Sequence, residues 1–180
     1  MRAFVGLPVP EPWIAPLIRA QGAVPGGRKV DAEDLHLTLA FLDDQPEARL
    51  EALHEGLEAR PLPAATLRPL AFALLGSTRP RAVVLDLAPD PALTALRDGV
   101  RRAAQAAGIP LARERFRPHV TLLRFSSSAP PDAGRLPAAL TRLGPPEMAP
   151  QMASGVTLWS STLTPDGPLY EPLATYPLAA

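Results

Sequence analysis

One short pattern occurs twice in this chain, and the repetition constrains the fold more than any other feature. Residues 34–42 (DLHLTLAFL) and 117–125 (RPHVTLLRF) each alternate polar and apolar positions around a His-x-Thr-Leu run, the two histidines standing 83 positions apart. A strand repeats every two residues, so His36 and Thr38 share one face of a strand, and His119 and Thr121 share one face of another. One such match arises easily by chance. Two, each in a strand-like alternation, point to two similar halves that present equivalent polar faces over an apolar underside.

The remaining periodicities fill in a mixed fold around these strands. Residues 2–7 (RAFVGL) are a β-rich run closed by Pro8 and Pro10, residues 11–21 fit a short helix, and residues 22–29 (GAVPGGRK) read as a loop. Residues 46–60 carry Leu50, Leu53 and Leu57 at helical spacing with Pro46 in the first turn. His54 on that helix sits among charged neighbours and reads as a surface residue. Residues 65–75 and 81–87 flank GSTRP as a hairpin, and residues 91–107 place Leu93, Leu96, Val100 and Ala104 on one stripe ahead of Gly108. Beyond the second motif, residues 126–134 (SSSAPPDAG) read as a loop, 135–143 as a short helix, and 155–163 and 169–178 as strands joined by a TPDG turn. Strands and helices lack the regular alternation of a doubly wound sheet, so an α+β fold is expected. Residues 1–180 should form one bilobal domain, each lobe carrying one His-x-Thr-Leu strand.

Composition narrows the chemistry. The chain has no cysteine, which removes disulfides, thiolate nucleophiles and thiolate metal sites and fits a reducing compartment. The formal net charge is zero, so the broad electrostatic grip of a strongly basic nucleic-acid-binding domain is not indicated, and any polyanion contact must be local. No apolar run approaches the ~20 residues that span a bilayer, and MRAFVGLPVP is too short and too proline-broken for a signal sequence. A cytoplasmic chain that acts as a monomer without a membrane partner is expected.

Two imidazoles are suited to acid/base work on a phosphate. Unperturbed imidazole titrates near pH ~6.5, so a pair can hold one neutral base and one protonated acid at neutral pH. Opening a cyclic phosphate needs both, a base on the attacking water and an acid on the departing ribose oxygen. Thr38 and Thr121 can donate hydrogen bonds to the non-bridging oxygens as charge develops on them. A metal site is the competing reading of the histidines. It is the weaker one, because the chain has no HExxH and no carboxylate cluster beside either His, and Asp43 and Asp44 fit the solvated end of a strand. No metal and no cofactor are expected.

The two His-x-Thr-Leu segments, RAFVGLPVP at the start and LTPDGPLYEPLATYPL at the close together resemble the RNA 2′,3′-cyclic phosphodiesterase family, also called RNA 2′,5′-ligase-like, of the two-histidine phosphoesterases. The resemblance runs nearly end to end. It implies a bilobal α+β fold in which two antiparallel sheets flank a central cleft, with helices on the outer faces. It also implies metal-independent opening of a 2′,3′-cyclic phosphate to a 2′-phosphomonoester, with RNA 3′ ends or nucleoside cyclic phosphates as partners. By the same resemblance Phe41, five residues after His36, stacks on a nucleobase, and Arg124, five after His119, touches the phosphate. Five is an odd offset, so a bulge or a strand end is required to turn both onto the histidine face. Where the family commonly has Gly after the Phe-Leu pair, this chain has Asp43.

Acid and base are nearly symmetric in the sequence. The tilt toward His36 as proton donor and His119 as proton acceptor comes from Phe41, which puts the nucleoside on the His36 side. Arg113, Arg115, Arg117 and Arg124 crowd the second motif and would disfavour protonation of His119. Two other functions stay open: a phosphodiesterase for another small cyclic phosphate, such as ADP-ribose cyclic phosphate, and a non-catalytic module that holds an RNA 3′ end.

Overall fold

In chain order the elements are β1 (Arg2–Pro8), α1 (Glu11–Ala23), β2 (Arg28–Lys29), β3 (His36–Asp44), α2 (Glu47–Glu58), β4 (Thr66–Leu67), β5 (Pro69–Leu75), β6 (Ala82–Leu87), α3 (Pro91–Ala106), β7 (His119–Arg124), α4 (Leu136–Leu143), β8 (Gln151–Met152), β9 (Val156–Thr164) and β10 (Gly167–Tyr176). They come from a computed structural model that describes residues 1–76, 78–128, 131 and 134–179. Both histidines open their strands, and the topology sets those strands side by side.

Among the described residues, eight strands form one antiparallel sheet in the order β10-β9-β1-β3-β7-β6-β5, with β2 also paired to β7. The two expected sheets are the halves of this one, which meet at a single register pair, Leu37 opposite Val120. β3 and β7 share no other register pair, and a cleft lined from both halves lies over the junction. β4 and β8 form a separate two-stranded ribbon.

The apolar underside holds the halves together. Leu37, Leu39, Val120 and Leu122, the residues that alternate with the His and Thr positions, are at most 3% exposed and belong to one core. Each such side chain contributes roughly 1.5–3 kcal/mol by burial, and a one-residue slip of either strand would turn all of them to water. Helices are exchanged between the halves. α3 buries Leu93, Leu96, Val100 and Ala104 and packs on β3, while α1 packs on β7. Gln21 of α1 is buried and donates from Nε2 to the carbonyl oxygens of Val30 (2.8 Å) and Leu122 (2.9 Å), which fixes the helix over the second motif. Asp90 caps α3 by accepting the Leu93 N–H at 3.0 Å, and the helix is closed by Gly108 at φ 80°.

Local differences from the sequence reading have physical causes. Residues 65–75 divide into β4 and β5, because Thr66 and Leu67 pair with β8 whereas β5 pairs with β6. Arg28 and Lys29, read as loop, are recruited as β2 by the free edge of β7. Pro46 precedes α2 as its N-cap instead of lying within its first turn. His54 is not a free surface residue: its Nδ1 lies 3.0 Å from Tyr176 Oη and its Nε2 3.5 Å from the Glu58 carboxylate. The C-terminal strand crosses α2 there, a contact that local sequence cannot show. Of the expected loop at 126–134, positions 129, 130, 132 and 133 lie outside the described residues, as does Ser77 in the expected hairpin turn.

Candidate active site

The odd offset to Phe41 and Arg124 is resolved by a pair of matching bulges. On β3, Thr38 faces Gly6 and Ala40 faces Val5, so one residue of β1 opposes two of β3 and the alternation resets between Leu39 and Ala40. On β7, Thr121 faces Val84 and Leu123 faces Val83, which resets the alternation between Leu122 and Leu123. A bulge of this kind shifts every later side chain to the other face. Phe41 therefore joins His36 and Thr38, and Arg124 joins His119 and Thr121. The first six residues of the two strands share one burial pattern, with the second, fourth and fifth positions buried and the sixth exposed. Phe41 is 57% exposed and so is no part of the core.

The histidines are held in mirrored fashion. His36 Nδ1 lies 2.6 Å from the Asp34 carbonyl oxygen, and His119 Nδ1 lies 2.6 Å from the Arg117 carbonyl oxygen. Each Nδ1–H donates to the chain two residues back, which fixes the tautomer and leaves Nε2 facing the cleft. The Thr38 hydroxyl lies 3.1 Å from His36 Nε2 and donates to it when the ring is neutral. Because β3 and β7 run antiparallel about Leu37 and Val120, each histidine stands next to the threonine of the other strand. The carbonyl that orients His119 is itself steadied, since Arg117 donates from Nε and Nη2 to the two Asp86 carboxylate oxygens at 2.9 and 2.8 Å.

The surroundings of the two rings differ. His36 is enclosed by aromatic rings: Phe4 at 4.8 Å between centroids, Trp159 at 5.4 Å and the edge of Tyr170 at 5.5 Å. Burial, opposed by the Asp34 carbonyl and reinforced by the charges of Arg124 and His119, pushes the His36 imidazole down to about 4. The sequence reading expected the arginines to act on His119, yet Arg124 depresses His36. Arg117 is turned away into its pair with Asp86, and Arg113 and Arg115 are exposed.

His36, Thr38, Phe41, His119, Thr121 and Arg124, all six of the residues singled out in the sequence, line one cleft of about 670 Å³. Arg79 and Arg81 line it too, from the connection between β5 and β6. In the sequence Arg79 reads as a turn residue and Arg81 as the start of a strand, so neither stands out, and neither do Phe4, Trp159 and Tyr170, whose contacts with His36 are long-range. Among the described residues, no three His, Asp or Glu side chains converge where they could hold a metal ion. The arrangement offers two fixed imidazoles, two hydroxyls and three guanidinium groups along one cleft, beside an exposed aromatic ring.

The family model described as LigT-like phosphoesterase matches the chain twice, over residues 7–85 and again over 85–170, each match holding one His-x-Thr-Leu motif. A Geobacillus stearothermophilus RNA 2′,3′-cyclic phosphodiesterase is 34% identical over 88% of this chain, which spans 50% of that protein's length. A Thermus thermophilus protein of the same name is 33% identical over 99% of this chain and 90% of its own. The crystal structure of E. coli LigT complexed with 3′-AMP superposes with a TM-score of 0.74 at 25% identity, covering 99% of this chain and 98% of LigT. The chain belongs to the LigT-like phosphoesterase family.

Proposed function

We propose that this chain hydrolyses a 2′,3′-cyclic phosphate at an RNA 3′ end or on a nucleotide, giving a 2′-phosphomonoester. The observation that carries the reading is the mirrored pair of imidazoles, each with Nδ1–H committed to a backbone carbonyl and Nε2 facing the cleft. His119 Nε2 takes a proton from water as its oxygen attacks phosphorus. The bond from phosphorus to the ribose 3′-oxygen breaks, and His36 Nε2–H gives that oxygen a proton. Thr38, Thr121 and Arg124 hold the non-bridging oxygens, and Phe41 offers its exposed face to the base. The enclosure of His36 by aromatic rings supports a place beside the ribose, and the more open position of His119 supports a place where water arrives. One chain supplies both histidines, which supports a monomer built as one bilobal domain, and the absence of cysteine fits the cytoplasm.

One observation favours the exchanged assignment. With its imidazole near 4, His36 is neutral at pH 7, the state of a base. In the first assignment the negative charge of the arriving phosphate must raise His36 to load it with a proton. A p-nitrophenyl phosphodiester, whose leaving group needs no proton, separates the two. The proposal expects His36→Ala to be largely rescued on that substrate while His119→Ala stays slow, and the reverse pattern would exchange the roles.

The reaction itself is tested by incubating the chain with a nucleoside 2′,3′-cyclic phosphate in excess EDTA and resolving the product isomers. A 2′-phosphate formed at an undiminished rate is expected. A 3′-phosphate, or activity lost in chelator and restored by a divalent metal, would contradict the mechanism. No product at all would favour an RNA-end-binding module.

A further inference from the structure

A second cavity, of about 260 Å³, lies beyond Phe41 and shares His36, Phe41 and Arg124 with the main cleft. It falls below the ~300 Å³ at which independent small-molecule pockets begin, so it suits one part of a ligand whose remainder fills the cleft. Its own lining combines charged groups, Arg2 and Asp43, with aromatic and apolar surface. Arg2 supplies a cation, Tyr170 a half-buried ring, and Leu163 an apolar side chain that is 69% exposed. Leu163 is exposed because β9 runs on past the end of its pairing with β1, which stops at Ser160 opposite Ala3.

The cation is only loosely engaged. Arg2 Nη1 stands 3.7 Å from the Asp43 carboxylate, with the two side chains 43% and 76% exposed. Exposed pairs of this length contribute little, so a phosphate can take Arg2 from its partner at small cost. Asp43 holds that place at φ 56°, the left-handed region that non-glycine residues seldom occupy. A cation beside an aromatic ring and an apolar wall is what a single-stranded nucleotide requires, the phosphate meeting the guanidinium and the base meeting the ring.

We propose that this cavity receives the nucleotide on the 5′ side of the cyclic-phosphate terminus, with Arg2 on the connecting phosphodiester and the wall of Tyr170 and Leu163 against the base. The inference rests on the cyclic-phosphate reading and makes RNA ends better substrates than mononucleotides. Phe41 then stands between two nucleotides, the terminal one on its cleft side and its neighbour beyond.

The test compares kcat/KM for a dinucleotide ending in a 2′,3′-cyclic phosphate with that for the matching mononucleoside cyclic phosphate. A charge-assisted phosphate contact should favour the dinucleotide by about tenfold in the wild-type chain. Arg2→Ala should remove that advantage and leave the mononucleoside rate unchanged, which also reports an intact cleft. Asp43→Asn, which keeps a residue tolerant of the left-handed backbone while freeing Arg2 from its partner, should widen the advantage. Equal rates on both substrates in the wild-type chain would overturn the subsite, as would an advantage that survives Arg2→Ala. A loss shared equally by both substrates in Arg2→Ala would overturn it too, by making Arg2 a support of the cleft. Absence of turnover on either substrate would instead sink the cyclic-phosphate reading, and the subsite with it.

Discussion

At the scale of single residues the site is governed by how tightly each imidazole is enclosed. His36 has its imidazole at about 4, below the 6.5 of an exposed histidine, so the unfolded chain binds a proton in a range where the folded chain does not. Stability then falls as pH drops from about 6.5 toward 4. Between pH 7 and pH 5 the loss from this one group is on the order of 2 kcal/mol. Urea unfolding at the two pH values should show a smaller loss for His36→Gln than for the wild-type chain, and equal losses would mean that His36 titrates normally. The proposed mechanism gives the threonines a smaller share of the chemistry. Loss of a single oxyanion donor costs about 10²–10³ in rate, and Thr38→Ala and Thr121→Ala should each fall at or below that. A folded threonine variant as inactive as the histidine variants would refute the assigned roles. The identities of these residues were legible in the sequence because His-x-Thr is a local pattern. The aromatic enclosure of His36 was not, because Phe4, Trp159 and Tyr170 reach it from three other strands.

At the scale of elements, β3 and β7 work as carriers whose bulges set what faces the cleft. The alternation of HLTL and HVTL was readable, and it placed Leu37, Leu39, Val120 and Leu122 in the core. The bulges were implied only by the odd offset to Phe41 and Arg124, since an extra residue in a ladder leaves no mark in composition. The approach of β1 to β3 was not readable at all. Gly6 lies opposite Thr38, and a Cβ built on it would meet the Leu37 carbonyl oxygen at 2.5 Å and the Trp159 ring at 3.3 Å. Both obstacles are fixed, one by the ladder and one by the buried ring. Gly6→Ala must therefore push β1 away from the strand that carries His36, and overpacking of this kind costs about 1–3 kcal/mol. Chemical denaturation should show that loss together with reduced turnover. An unchanged midpoint would mean that the strands do not approach so closely.

At the scale of the whole molecule, the chain is two related halves that share a core, exchange helices and touch through one strand pair. The family model matches once around each motif, and the motif repeated 83 positions apart was the sequence trace of this duplication. What the sequence could not disclose was the long-range assembly. β9 and β10 come last in the chain and yet complete the half that begins with β1, and α3 from the second half supports the strand of the first histidine. Such pairings depend on which apolar faces find each other and leave no local signal. The claim that each half contributes one imidazole to a single reaction is decided by kcat on a nucleoside 2′,3′-cyclic phosphate for His36→Ala, His119→Ala and the double variant, with folding checked by circular dichroism. Each single variant should fall by about 10²–10⁴, and the double variant should be little worse than either, as expected when two groups act as one unit. A folded single variant that turns over at nearly the wild-type rate would contradict the claim.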